Sequence, residues 1–226
     1  MEFLKPECAK CEIKKKICRS PDGQGPAFCP TLLRKQSIAK ANEEYTKPDI
    51  LKFAHEASVQ EAECYINRGV KPYVLHPAKP RVQEICEFAQ KMGYEKLGIA
   101  FCSALHSEAL SLAQILEAQG FEVISVACKA GRTPKEKIGI EEEEKVRIGE
   151  FESMCSPVAQ AMILNEEKTD FNILAGLCVG HDSLFLRYAR AYSTVLVAKD
   201  RVLAHNPCAA LYTTGSYYAR MLKKGF

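Results

Sequence analysis

From Tyr94 onward the chain alternates short apolar runs with amphipathic stretches, and nothing else in the sequence restricts its fold as strongly. The runs KLGIAFC (96–102), FEVISVAC (121–128), FNILAGLC (171–178) and TVLVA (194–198) read as strands. Between them Ser107–Gln119, ended by Gly120, Pro157–Glu167 and Asp182–Ala191 read as helices. Strands this apolar need cover on both faces, and strands joined through helices make right-handed crossovers. The expectation is an α/β fold, a Rossmann-like or flavodoxin-like, mostly parallel sheet of about four strands with helices on both faces. In a 2-1-3-4 strand order, Cys102 and Cys178 would flank the point where the order reverses, the usual ligand crevice of such sheets.

Upstream, residues from about Arg34 to Met92 read as helical. Between Ile50 and Ile66 the apolar positions follow a helical period, and Pro77 and Pro80 interrupt the chain before a helix over Arg81–Lys91 that Gly93 ends. Cys64 and Cys86 fall within these apolar patterns and read as small buried hydrophobes. Three regions are expected: a cysteine-rich metal-binding segment over 1–34, a helical region over 35–92 packed on the core, and the α/β domain over 93–226.

Composition narrows the chemistry. The 11 cysteines among 226 residues fall short of the roughly 8–10% that marks a disulfide scaffold. A 47% hydrophobic content supports a sizeable core, and 31 basic against 28 acidic side chains leave too little net charge to point to nucleic acid or a membrane surface. The opening MEFLKPECAKCEIKKK lacks the apolar stretch of about 7–15 residues of a signal peptide, and no apolar run approaches about 18 residues. The expected location is cytoplasmic, where thiols stay reduced and serve metals, clusters or thiol chemistry.

The thiols fall into two sets. Cys8, Cys11, Cys18 and Cys29 are spaced Cys-x2-Cys-x6-Cys-x10-Cys-Pro in a stretch rich in Pro and Gly that cannot form a long helix or central strand. Four thiolates around one ion or cluster would order it, whereas free thiols would not. One Cys-x2-Cys pair and the Cys29-Pro30 ending suit iron–sulfur or zinc. Lys14, Lys15 and Lys16 read as solvated charge beside a thiolate site. The second set is Cys102, Cys128 and Cys178 at strand ends and Cys155 before Pro157. All four should share the carboxyl-end rim, as a shared metal or cluster site, a catalytic thiol, or unconnected cysteines. His181, three residues after Cys178, can act there as ligand, proton carrier or anion contact. His106 and His205 are weaker candidates, and Cys208 reads as a fifth ligand or core filling. Gly131–Pro134 reads as a turn, Glu141–Glu144 as a solvated acidic face, and Lys199-Asp200-Arg201 either as a turn or as charge brought to the rim.

These motifs, Cys8-x2-Cys11 with Cys18 and Cys29-Pro30, GIAFC (98–102), MCSP (154–157), NEEKTD (165–170), GLCVGHDSLF (176–185) and VAKDRVLAHNP (197–207), resemble the DUF1847 family of uncharacterised metal-binding proteins over nearly the whole length. The resemblance implies metal binding and names no reaction. Two functions follow from the residues. The favoured one is a redox or cluster-dependent enzyme with an iron–sulfur centre, of the 4Fe–4S type, at each set. It would act on a small-molecule substrate with an electron-transfer partner, His181 moving the proton and Asp182, Lys199 and His205 as polar neighbours. The other is a zinc protein without catalysis, for metal storage, delivery or sensing. A rim cysteine as nucleophile with His181 as base is a third reading.

Overall fold

The computed structural model describes residues 4–225. Residues 1–3, the start of the stretch read above for a leader, and residue 226 lie outside them. The chain divides into two compact units, Met1–Glu63 and Cys64–Phe226.

In the first unit the Pro- and Gly-rich segment forms only a single 3-10 turn at Cys8–Lys10 and an isolated bridge between Lys16 and Gln24. Three helices follow: α1 (Pro30–Leu33), which opens on its proline, α2 (Lys35–Glu44) and α3 (Pro48–Glu63). Proline at the first helical position costs nothing, because its missing N–H has no partner there anyway.

The second unit begins with residues 64–80, which the sequence reading placed in a helical region. They form no helix; Tyr65 instead pairs with Pro77 in an antiparallel bridge. Three prolines in this stretch, Pro72, Pro77 and Pro80, remove the amide donors that a helix needs. Helix α4 (Arg81–Met92) then stops on Gly93, whose N–H caps the last turn. The rest alternates as expected: β1 (Lys96–Phe101), α5 (His106–Ala118), β2 (Glu122–Ala127), α6 (Pro157–Glu166), β3 (Phe171–Leu177), α7 (His181–Tyr188), β4 (Tyr192–Ala198) and a short α8 (Cys208–Tyr212).

The four strands form one parallel sheet in the order β2-β1-β3-β4. The path steps one way from β1 to β2 and the other way through β3 to β4. Right-handed crossovers therefore put α5 on one face and α6 and α7 on the other, and α6 and α7 pack against each other. The inner strands β1 and β3 are buried almost throughout, while the edge strands are partly exposed. Their side chains, with Leu116, Leu164 and Phe185, build the core. Cys86 is buried in α4, and Cys64 is buried immediately after α3 in sequence. Among the described residues no helix is long and apolar enough to cross a membrane.

Candidate functional site

Parallel strands present all their carboxyl ends on one rim, and Cys102, Cys128 and Cys178 are the residues that directly follow β1, β2 and β3. With Cys155, which enters α6, they line a single cavity of about 360 Å³ together with His181 and Arg201. Cys102 and Cys178 flank the reversal of strand order between β1 and β3.

The aim of Cys178 depends on an irregularity that the strand pattern does not show. The β3/β4 register runs Leu174↔Val195, Ala175↔Val197 and Leu177↔Ala198, so it skips Gly176 on one strand and Leu196 on the other. Gly176 takes φ +71°. Such bulges re-aim the following side chains, and they recur beside functional sites.

Each rim sulfur has a polar neighbour. Lys199 donates from Nζ to Cys102 Sγ at 3.3 Å, and Arg201 donates to Cys178 Sγ at 3.0 Å. Both cations come from the loop after β4, which bends sharply, with φ +49° at Ala204 and +62° at His205. Asp200 holds that bend by accepting the amides of Val202 and Leu203 at 3.0 and 2.8 Å. His205 accepts the Asp200 amide on Nδ1 at 3.1 Å. Lys199-Asp200-Arg201 is thus both a turn and a carrier of charge to the rim, and His205 braces the turn without lining the cavity.

Cys128 and Cys155 are each other's partners. The Cys155 thiol donates to the Cys128 sulfur, and the Ser103 amide also donates to it at 3.4 Å. Together these hold the Cys128 thiol well below the ordinary range near 9, against the opposing effect of burial. The same bond to Cys128, reinforced by burial, pushes the Cys155 thiol upward. Cys128 is thereby the more acidic thiol of the two and Cys155 the less acidic.

A loop roofs this cavity. Lys135, Ile138, Ile140, Val146, Glu152 and Met154 line it from the long connection between β2 and α6. Lys145, with its side chain 4% exposed, lies 2.6 Å from Glu136 and 2.7 Å from Glu142, and Lys135 pairs with Glu152 at 2.8 Å. Glu142 also accepts the Gly149 amide, and Glu152 the Val146 amide. The acidic run expected to be a solvated face is therefore partly structural, because a buried ammonium needs carboxylates around it.

Other candidates go elsewhere. His106 opens α5 with its ring 6.3 Å from that of Phe101, away from the cavity lining. Asp182 accepts the amides of Gly180 and Ser183 at the start of α7. Arg132 lies 5.1 Å over the Phe151 ring, within an ordinary turn. Cys208 is exposed at the start of α8, which corrects its reading as core filling.

Gln160 was not anticipated. It is fully buried, and its Nε2 donates to the carbonyls of Phe101 at 3.1 Å and Val126 at 2.7 Å, tying the ends of β1 and β2 just below Cys102 and Cys128. Its Oε1 finds no partner among the described residues. The signal was present: Pro157, Gln160, Ala161 and Leu164 form the buried i, i+3, i+4, i+7 face of α6.

The N-terminal quartet also converges. Cys8, Cys11, Cys18 and Cys29 line one cavity of about 260 Å³ with Ile17, Gly25 and Phe28. Cys11 donates its amide to the Cys8 carbonyl at 3.1 Å, and Ile17 and Gln24 make loop-closing amide bonds. A Cβ at Gly25 would lie 3.0 Å from Cys29 Cβ and 3.1 Å from its Sγ, tighter than ordinary contact, so glycine eases the backbone's approach to the thiol. The Thr31 hydroxyl beside Cys29 draws that thiol below its usual range.

Both donor sets consist of soft sulfur ligands and suit zinc or iron–sulfur more than a hard cation. Among the described residues, no three His, Cys, Asp or Glu side chains surround a point closely enough to hold an ion. Either set must turn its thiols inward to bind one.

A family model described as a protein of unknown function, DUF1847, matches residues 29–196. That range contains Cys29 and the rim cysteines and stops short of Cys18 on one side and Lys199 on the other. An uncharacterised protein of Methanocaldococcus jannaschii is 40% identical over 219 residues, spanning 97% of this chain and 99% of its own length. No solved structure matches the chain.

Proposed function

The chain belongs to the DUF1847 family of proteins of unknown function, and on that footing we propose that it binds metal at two cysteine-based sites. The preferred occupants are iron–sulfur centres, and the rim site acts as a redox or cluster-dependent enzyme on a small substrate. The observation that carries this reading is the convergence of Cys102, Cys128, Cys155 and Cys178, drawn from three strand ends and a helix start, on one cavity that His181 also lines. Unrelated buried cysteines have no reason to meet at the crevice where open α/β sheets bind ligands.

A bound cluster would supply one-electron transfer at a potential set by charge and hydrogen bonds to its sulfurs. The chain's own residues supply that tuning. Lys199 beside Cys102 and Arg201 beside Cys178 offset thiolate charge, and the Ser103 amide donates to Cys128. His181 is the side chain placed to give or take a proton within the cavity. Ile138, Ile140 and Val146 bring apolar surface to the mouth of the cavity. The N-terminal quartet serves as a second, separate centre for holding or passing electrons.

Anaerobic purification followed by metal analysis and an absorption spectrum tests this directly. Iron with acid-labile sulfide and visible absorption is expected. Colourless protein carrying only zinc would remove the cluster assignment. Cys11→Ser should unload one site and Cys178→Ser the other; loss of the same equivalent in both would refute the two-site arrangement.

A further inference from the structure

The rim thiols are not equivalent. Cys102 and Cys178 each have a cationic partner, Lys199 at 3.3 Å and Arg201 at 3.0 Å. Cys128 and Cys155 have one another. The amide of Ser156, next to Cys155, donates to the Cys128 carbonyl at 2.7 Å, so the two main chains touch at this point. Both side chains line the same cavity, and Cys155 packs against the buried cluster that contains Cys128. Cys128 is buried at the end of a strand, while Cys155 is half-buried in the connection that leads into α6. One member of the pair is thus enclosed, and the other is partly open to the cavity. A disulfide needs this much backbone proximity and Cβ vectors that can be turned toward each other.

We propose that Cys128 and Cys155 are a redox-active dithiol whose closure to a disulfide, driven by a low-molecular-weight disulfide, switches the rim site from metal-binding to metal-free. Cys128 Sγ takes the proton of Cys155 as Cys155 Sγ attacks one sulfur of the small disulfide, since the thiolate is the nucleophile. A mixed disulfide forms, and the departing thiolate takes up that proton from Cys128. Cys128 Sγ then attacks Cys155 Sγ, forming the Cys128–Cys155 bond and releasing the second thiolate. Two protein thiols are oxidised and one small disulfide is reduced to two thiols, so the electrons balance. Closure takes two of the four rim thiols away from any ion and leaves Cys102 and Cys178 with their cations. The switch rests on the proposed metal site for its consequence; the dithiol chemistry itself does not.

Cys102 is the competitor, since it lines the same cavity and belongs to the same buried cluster as Cys128. It directly follows β1 and is buried with its sulfur engaged by Lys199, so a small disulfide reaches it less readily than half-buried Cys155.

The test uses the full chain, stripped of metal and fully reduced, then equilibrated with oxidised glutathione without oxygen. Remaining thiols are alkylated and the peptides mapped by mass. The expected result is a linked pair of peptides containing Cys128 and Cys155, two hydrogens lighter than the reduced forms and restored by dithiothreitol. Cys155→Ser should abolish that link, while Cys102→Ser should keep it. A bridge from Cys128 to Cys102, or full alkylation of Cys128 and Cys155 after oxidation, would overturn the dithiol. Anaerobic titration with ferrous iron, before and after oxidation and without sulfide, which would itself reduce the bridge, separates the two ideas. Loss of rim uptake on oxidation and recovery on reduction supports the switch; equal rim uptake by both forms overturns it. If the reduced form takes up nothing at the rim although the bridge forms, the metal reading fails while the dithiol stands.

Discussion

Replacing Gly176 by alanine should cost more stability than its backbone angle alone explains, and should misdirect Cys178. Gly176 sits at φ +71°, where the β3 register skips a residue. A Cβ there would lie 2.6 Å from Leu105 Cδ2 and 3.2 Å from Cδ1. Leu105 is 2% exposed and cannot swing into solvent. Left-handed backbone costs a non-glycine residue about 1–2 kcal/mol, and forcing a methyl group onto a packed side chain adds about 1–3 kcal/mol. Gly176→Ala is therefore expected to destabilise by about 2–5 kcal/mol. Gly93→Ala is the control: its backbone is left-handed at φ +75° and ψ 30°, with nothing within 4 Å of the added Cβ, so only the backbone cost of about 1–2 kcal/mol applies. Urea unfolding of both variants, compared at unchanged m, isolates the Leu105 collision. A Gly176→Ala protein no less stable than Gly93→Ala would refute the steric argument. A strongly destabilised Gly176→Ala protein that still folds and loads the rim site normally would refute the aiming role of the bulge.

Three other outcomes are expected. Lys145→Met leaves Glu136 and Glu142 facing each other without the ammonium between them, so a glutamate-specific protease should cut within residues 135–153 faster than in the parent; equal cleavage would mean the ion pairs do not hold the roof. Asp200→Ala removes the acceptor of two loop amides and should cost about 1–2 kcal/mol while freeing Arg201 from Cys178, read as a changed alkylation rate of Cys178 in metal-free protein. The stability of reduced, metal-free protein should rise with pH from the depressed Cys128 value up to the ordinary thiol value near 9, where the unfolded chain holds a proton that the folded one has lost. Above that pH the raised Cys155 thiol reverses the trend, because the folded chain now keeps the extra proton. In Cys128→Ser both limbs should flatten, and a pH profile unchanged by that substitution would refute the coupling of Cys128 to Cys155.

Much of this architecture is local and therefore visible along the chain. Apolar runs such as FNILAGLC (171–178) could only be buried strands, Gly93 and Pro157 marked helix ends, and alternation with helices required a parallel sheet. Because parallel strands share one rim, the strand pattern alone puts residues as far apart in sequence as Cys102 and Cys178 on one edge. The helical reading failed ahead of the break expected at Pro77 and Pro80, where Pro72 outweighs a weak periodicity over residues 64–76. Cys208 failed because nothing in its own neighbourhood reports exposure.

What the sequence determined by itself is the layered fold and the edge on which the rim thiols stand, since both follow from short-range periodicity and topology. What only the tertiary structure decided is how each thiol is partnered. Lys199 and Arg201 reach different sulfurs through a strained turn that His205 and Asp200 brace. Cys128 is matched with Cys155 across a 2.7 Å backbone bond, and Gln160 ties two strand ends from beneath. Those assignments depend on side chains meeting across many residues of intervening chain, and no local pattern encodes which of several nearby groups is closest.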